Sequence, residues 1–358
     1  MKILVGMSGG VDSSVTAMLL QQQGHEVIGV TMSIWDKNTN FRGNLSADSC
    51  FSPHEEQDVA VAKAICVKMG IPYHVLDCSA RYKRMVLDNF KSEYKAGRTP
   101  NPCVMCNSYI KFNALPEEAA AQGIIFDKFA TGHYAQVVFN NQTNRYEIHR
   151  GVDNTKDQSY FLYRLTQEQL ARVEMPLGIY SKKEVRQLAQ NFGLEVADKP
   201  DSQDFYAGDI NDILQNEPQI GDFVNKDGKV LGHHQGYWNY TIGQRRGMGI
   251  AAERPLYVIG IDKNKNQVLV GFEEECERSG LIATNLCWSA MTGLREPIEC
   301  EAKIRSSQQP TAVKVTPLDN DKIEVVFYTK QKAIAPGQSV VLYQNDVVLG
   351  GGVIEKAI

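Results

Sequence analysis

The sequence lacks a basic excess: its 358 residues carry 38 Lys and Arg against 42 Asp and Glu, a net charge of −4. A nucleic-acid partner must therefore be held by local basic patches and not by the field of the whole molecule. No apolar run approaches the roughly eighteen residues needed to span a bilayer. The N-terminus, one Lys before a short apolar run that ends in Gly and Ser, has no cleavage-like segment of a signal peptide. No membrane partner is expected, and the expected compartment is a reducing cytoplasm. The eight cysteines are Cys50, Cys66, Cys78, Cys103, Cys106, Cys276, Cys287 and Cys300. In that compartment they serve as core fillers, metal or cluster ligands, or reactive groups, and not as a disulfide scaffold. Internal repeats and low-complexity tracts are missing too. With 43% hydrophobic and 22% charged residues, the balance is globular, which excludes disorder and a collagen-like fibre.

What is present is a chain long enough for roughly two or three domains. Over residues 1 to 165 short apolar runs alternate with helical patterns. Ile3-Leu4-Val5, Val27-Ile28-Gly29-Val30, Pro72 to Leu76 and Phe129-Ala130-Thr131-Gly132 read as strands. Val59, Ala62, Ile65, Cys66 and Met69 have the spacing of one helix face. The expected class is α/β, a parallel sheet covered on both faces. Residues 166–196 read as a helical, surface-exposed extension, with Ser181 as an N-cap. From about 205 Gly-Asp and Asp-Gly pairs punctuate short segments, and from about 273 the hydrophobic period becomes two. The expected boundaries are a catalytic α/β domain over 1–204, a small central β-rich domain over 205–272, and a C-terminal antiparallel β-barrel over 273–358.

The first strand runs into Gly6-Met7-Ser8-Gly9-Gly10-Val11-Asp12-Ser13-Ser14 and then a helix. Its glycines let backbone amides approach an anion, and Ser8, Ser13 and the helix N-terminus add donors and positive dipole. No Lys follows the second glycine, which excludes a Walker A loop, and the dinucleotide G-x-G-x-x-G spacing is missing. What remains is the SGGxDSS pattern of the ATP pyrophosphatase, or PP-loop, enzymes, which hold the β,γ-pyrophosphate while a substrate is adenylated. Asp12 is then a candidate to orient Mg2+ near the phosphates. Met32 ends the second strand, where it could meet adenine or simply fill the core. Gly132 ends a strand on the edge where such sheets bind ligands.

Residues 81–112 hold seven basic side chains against Asp88 and Glu93, and within them lies Thr99-Pro100-Asn101-Pro102-Cys103-Val104-Met105-Cys106-Asn107. The prolines stop the preceding helix and present both cysteines on a stiff loop. Local positive charge is expected to lower the thiol pKa and favour the thiolate. A lone C-x-x-C is ambiguous among zinc, disulfide exchange and cluster ligation. With no second C-x-x-C and no H-x-x-x-H, structural zinc is poorly supported. Lys156-Asp157-Gln158-Ser159-Tyr160-Phe161-Leu162 mixes charge with aromatics as base-stacking surfaces do, although a solvated helix start looks similar. Arg245 and Arg246 lie on a Gly-flanked turn suited to phosphate contact.

Taken in order, GMSGGVDSS, EYKAGRTPNPCVMCN, ATGHYA, KDQSYFL, MPLG, YTIGQRRG and APGQSVVLY resemble the bacterial tRNA-specific 2-thiouridylase family over nearly the whole chain. The resemblance implies a PP-loop catalytic domain of the adenine nucleotide alpha hydrolase type, a small central domain and a C-terminal β-barrel. It implies that ATP adenylates the C2 oxygen of a wobble uridine in a tRNA anticodon and that a cysteine-borne sulfur displaces AMP. That sulfur comes from a donor protein or sulfide. By match, Gly6, Met7, Ser8, Gly9, Gly10, Val11, Asp12, Ser13, Met32 and Gly132 bind ATP. Asn101, Pro102, Cys103, His133, Lys156, Asp157, Gln158, Arg305, Ser306 and Gln338 contact tRNA, and Cys106 bears the sulfur. Two positions depart from the family pattern. Cys103 replaces the usual Asp, and Tyr206 stands where the family's second cysteine follows an Asp-Ser pair. Two repairs are open: Cys103 is a resolving thiol for a persulfide on Cys106, or Cys103 and Cys106 ligate an iron–sulfur cluster, of the [4Fe-4S] type, with Cys50 as third ligand. Two other readings are a PP-loop enzyme that adenylates a small metabolite and a tRNA-binding protein that has lost catalysis.

Overall fold

A computed structural model describes residues 1–35, 49–52, 55–194, 205–206, 208–319 and 321–358. Strands β1 (Lys2–Gly6), β2 (Glu26–Ser33), β3 (Tyr73–Asp77) and β4 (Lys128–Ala130) come first. A hairpin of β5 (Ala135–Asn140) and β6 (Arg145–Arg150) follows, then β7 (Val173–Glu174). The first sheet has the order β3-β2-β1-β4-β7 and every pairing in it is parallel. Ile3, Leu4 and Val5 are all fully buried. Because side chains alternate along a strand, Ile3 and Val5 join one core and Leu4 the other. One face is covered by helices α1 (Val11–Gln22) and α2 (Glu55–Met69), the other by the helices between β3 and β4. Strand order reverses direction at β1, so the crevice beyond the carboxyl ends of β1 and β4 is where this architecture places a ligand.

Ser181 caps the helix Lys182–Asn191 in a capping box with Glu184, as its sequence expects. The extension is not surface-exposed throughout, however. Val185 and Ala189 are buried in the core that α1 shares, and Lys182 is only 8% exposed. The amphipathic face packs on α1, and packing overrides the polar look of the segment.

The central unit is a sheet of order β10-β11-β8-β9, made of β8 (Gly221–Val224), β9 (Val230–His234), β10 (Tyr257–Asp262) and β11 (Gln267–Gly271). The C-terminal unit holds β12 (Glu277–Trp288), β13 (Ile298–Lys303), β14 (Thr311–Leu318), β15 (Lys322–Lys332), β16 (Ser339–Gln344) and β17 (Val347–Ala357). Their order is β12-β15-β14-β13-β16-β17, and β12 pairs back to β17, which closes a barrel and removes its edges. Asn345, at φ +54°, makes the turn between β16 and β17. The β5–β6 hairpin lies within 1–204 yet hydrogen-bonds to this barrel, with His149 opposite Val347. That strand pairing fixes the barrel against the edge of the catalytic domain. Among the described residues no helix is long and apolar enough to cross a membrane.

Candidate active site

The phosphate loop leaves β1 at Gly6. Met7 donates its backbone N–H to Val30 O at 2.7 Å, which pins the loop to β2. Ser8 N donates to Ser13 Oγ at 3.2 Å. Gly9 has φ +70°, and a Cβ there would sit 2.7 Å from Asp58 O. Gly10 is the N-cap of α1, and Val11 and Asp12 open the helix with no side-chain cap on it. Among the described residues no N-cap side chain takes up the first-turn amides, and the backbone forms a cradle that a Cβ would fill, as an anion site requires. These residues fit the terminal phosphates of ATP.

Gly132 closes the loop from the other side. A Cβ on it would lie 2.8 Å from Asp12 C and 2.9 Å from Ser13 N, both backbone atoms. Gly132→Ala is therefore expected to cost about 1–3 kcal/mol of stability and to weaken triphosphate binding at least about tenfold. Chemical unfolding and nucleotide titration measure the two effects, and wild-type values would show that the loop is not pinned there. Met32, half-buried beside Leu76 in the next strand, packs on the core at the same edge. The Asp12 carboxylate is an oxygen donor of the kind Mg2+ takes. Here both its oxygens accept from Lys182 Nζ at 2.8 Å, and Oδ1 also accepts from Tyr134 OH at 2.8 Å.

Asn101 caps the short helix Pro102–Cys106 by accepting from Val104 N at 3.3 Å, and Pro102 supplies the preset φ of its first turn. Cys103 and Cys106 thus stand one helical turn apart. Cys103 is half-buried, Cys106 is buried and Cys50 is exposed. The expected depression of the thiol pKa is corrected here. Burial pushes Cys106 up to about 12, Lys111 pulls it down, and neighbouring Cys103, Cys50 and Cys78 push it further up. Of the other basic residues, Arg98 is paired with Glu93 and Arg81 with Glu117; desolvation outweighs the charge of the segment.

Lys111 is the hub of this neighbourhood. Burial opposes its charge, but the Cys106, Cys50 and Cys103 thiols outweigh burial and raise its pKa. The same three thiols act on buried Tyr82. Phe51 N donates to Phe205 O at 3.0 Å, and the Phe51 ring stacks on Tyr82 and Phe205 with centroids 5.5 and 6.0 Å away. Cys50 is thereby tied to the segment that carries Tyr206, whose hydroxyl donates to Asp212 at 2.8 Å. Asp201 and Ser202 lie outside the described residues. Among the described residues no group of three or more His, Cys, Asp or Glu is gathered as a metal site.

His133 joins the two halves. It is buried, its Nδ1 is 2.7 Å from Thr131 Oγ1, and its ring lies 5.5 Å from Phe112. Burial, then the charge of Lys111, pushes its pKa down to about 3, so the imidazole is neutral at pH 7. The charge of Lys111 thus acts both on the end of β4 and on the cysteine helix.

Asn101, Pro102, Arg305, Ser306 and Gln338 come together in a cleft of about 320 Å³. Gln338 Nε2 donates to Pro100 O at 2.8 Å, Thr99 N donates to Pro336 O at 2.8 Å, and Arg305 donates to Ile242 O at 3.1 Å. The barrel and the central unit thus clamp the loop that carries the cysteines. His133 and the segment 156–158 do not line this cleft. Asp157 is turned inward, its carboxylate 1% exposed between Arg150 and Lys303. Gln158 accepts from Tyr134 N at 3.0 Å, while half-buried Lys156 donates its backbone N–H to Asp153 O at 3.0 Å. Further along the segment Tyr160 and Leu162 are buried, and Tyr160 OH donates to Ser339 O at 2.9 Å in the barrel, while half-buried Phe161 lines the cleft beside Tyr160. Arg245 lines a separate cleft of about 400 Å³ in the central unit. Lys182 escaped the sequence motifs because its partner Asp12 is 170 residues away in the chain, whereas Lys111 is one of the seven basic residues of 81–112 and the sequence does not say that it acts on the thiol.

A PP-loop α/β domain that also carries a clamped cysteine helix defines the class as a nucleotide-dependent enzyme. Three families match the chain in succession: the tRNA methyl transferase HUP domain over residues 1–206, the tRNA methyl transferase PRC-barrel domain over 210–272, and the aminomethyltransferase beta-barrel domain over 278–354. The tRNA-specific 2-thiouridylase MnmA of Endomicrobium trichonymphae is 49% identical over 356 residues, covering 99% of both chains. The protein of the same name from Carboxydothermus hydrogenoformans is 46% identical over 364 residues, covering 100% of this chain and 98% of its own. The chain belongs to the tRNA-specific 2-thiouridylase family.

Proposed function

We propose that this protein is an ATP-dependent tRNA 2-thiouridylase in which Cys106 carries the transferred sulfur. The observation that carries the reading is that one cation, Lys111, acts both on His133 at the nucleotide edge and on Cys106 of the cysteine helix. The phosphate loop holds ATP by its β- and γ-phosphates, with Asp12 the candidate ligand for Mg2+. The uracil C2 oxygen of a wobble uridine attacks the α-phosphorus and pyrophosphate leaves. Sulfur on Cys106 then attacks C2, a C–S bond forms, and the C–O bond breaks with AMP as leaving group.

An anticodon base can reach such a site by being splayed from a single-stranded loop. The cleft beside Asn101, Arg305 and Gln338 is where we place the tRNA contacts. If the sulfur arrives as a persulfide, transfer leaves a disulfide between C2-bound sulfur and Cys106. A second thiol must cleave it, and Cys103 or Cys50, both acting on Cys106, supplies that thiol. The resulting protein disulfide is reset by an external dithiol.

Unmodified tRNA transcript with a wobble uridine, ATP, a persulfide donor and a dithiol reductant, incubated without oxygen, tests the reading. One 2-thiouridine should form per AMP and pyrophosphate released. ATP–pyrophosphate exchange that needs no tRNA and responds to a small carboxylate would instead support the metabolite-adenylating reading. Stoichiometric iron in anaerobically purified protein would replace the thiol pair by a cluster.

A further inference from the structure

A side chain of the neighbouring strand holds the phosphate loop from behind. Gly29 and Thr31 are two residues apart in β2 and so face the same side of the sheet. Tyr73 of β3 pairs with Gly29 and shares that side. Its ring lies over Gly29, where a Cβ would stand 3.3 Å from it, and its hydroxyl reaches Thr31 Oγ1 at 2.7 Å. Thr31 Oγ1 is in turn 2.6 Å from Met7 O, the first carbonyl beyond β1. A carbonyl only accepts, so the threonine proton goes to Met7 and the phenol proton goes to Thr31. The chain of donors therefore runs one way, from Tyr73 through Thr31 to the loop.

Met7 is thereby held on both its backbone groups by one strand, since its N–H donates to Val30 O at 2.7 Å. The consequence falls on the next amide. The Met7 carbonyl and the Ser8 N–H belong to one planar trans peptide and point in opposite directions. With the oxygen turned toward β2, the Ser8 N–H is turned toward the start of α1, where it meets Ser13 Oγ at 3.2 Å. A phosphate arriving at this end of α1 meets an amide donor. If the peptide were free to rotate, the same phosphate would meet a carbonyl oxygen, which repels it. Thr31 stands 24 residues from Met7, outside the loop motif.

We propose that Thr31, backed by Tyr73, is a positioning residue for ATP: it fixes the Met7–Ser8 peptide so that the loop offers an amide, and not a carbonyl, to the β- and γ-phosphates. The inference rests on the reading of the loop as an ATP site. Isothermal titration of the full chain with the α,β-methylene analogue of ATP, with inorganic pyrophosphate and with AMP tests it. Thr31→Val keeps the shape of the side chain and removes the donor. It should lose about threefold to tenfold in affinity for the triphosphate and for pyrophosphate. Its AMP affinity should stay within about twofold, because AMP lacks the two phosphates concerned. Thr31→Ser restores the hydroxyl without the methyl group and should bring both back to within about twofold of the wild type. Tyr73→Phe removes only the support behind Thr31, so a loss of about twofold to threefold for the triphosphate is expected, and it carries the test should Thr31→Val not fold. A threonine that only fills space in the sheet would leave the triphosphate-to-AMP ratio unchanged in Thr31→Val. That result overturns the proposal, as does full triphosphate affinity in Tyr73→Phe. Wild-type protein that binds neither the ATP analogue nor pyrophosphate would remove the ATP-site reading itself, a result distinct from an unchanged ratio.

Discussion

Cys106→Ser will abolish 2-thiouridine formation, by at least about a thousandfold, while tRNA affinity stays within about twofold. A hydroxyl oxygen cannot carry a sulfane sulfur, and at neutral pH it is a far weaker nucleophile than a thiolate. The substitution is small, and Cys106 sits in the core among Val104, Ile110 and Tyr82, so the new hydroxyl costs about 1–3 kcal/mol at most. The fold that presents the cleft is kept. Mass spectrometry of digested tRNA reads the product, and filter binding reads the affinity. Adenylation of the uracil should persist, seen as tRNA-dependent ATP–pyrophosphate exchange, because the phosphate loop and Lys182 are untouched. Retained turnover would remove Cys106 from the reaction. Loss of tRNA binding would mean that the serine disturbs the clamp between the cysteine loop and the barrel.

The phosphate loop was legible in the sequence because everything it needs is contiguous. The apolar triplet Ile3-Leu4-Val5 makes a strand buried on both faces, Gly9 supplies a positive φ, and the helix follows at once. The cysteine helix was legible for the same reason, since Asn101 and Pro102 write its cap and its first turn into adjacent positions. The barrel announced itself by its period of two.

The rest depends on pairings between distant segments, which spacing does not encode. Nothing near Lys182 points to Asp12, and the charge count of residues 81–112 does not say that Lys111 alone turns toward the thiols. Nor does a row of basic residues reveal that Cys106 is buried, and burial reverses the sign of its pKa shift. Tyr160 and Asp157 look like surface chemistry in a polar segment. They are instead consumed in joining the catalytic domain to the barrel, because the β5–β6 hairpin brings that segment against β17.

Replacing Lys111 with methionine tests the hub directly and should affect both of its neighbours. Lys111 is the cation that draws the Cys106 thiol down against burial, so its loss leaves roughly tenfold less thiolate at any given pH. Thiolation should fall by about the same factor at pH 8, and Lys111→Arg should restore most of it. Alkylation of Cys106 by iodoacetamide, followed by mass spectrometry from pH 7 to pH 10, isolates the thiol from the rest of catalysis; an unchanged profile would show that Lys111 does not act on it. His133 moves the opposite way. Its pKa is held at about 3 by burial and by Lys111, against 6.5 for the free side chain. Between those values the unfolded chain binds a proton that the folded one refuses, so stability rises with pH across that window and is lost as pH falls through it. Removing the lysine brings the folded value back toward the free one. The slope of unfolding free energy between pH 4 and pH 6 should therefore flatten in Lys111→Met, even as the thiol becomes harder to ionise. A purely steric role for Lys111 would produce neither change, and a general loss of packing would lower stability equally at every pH.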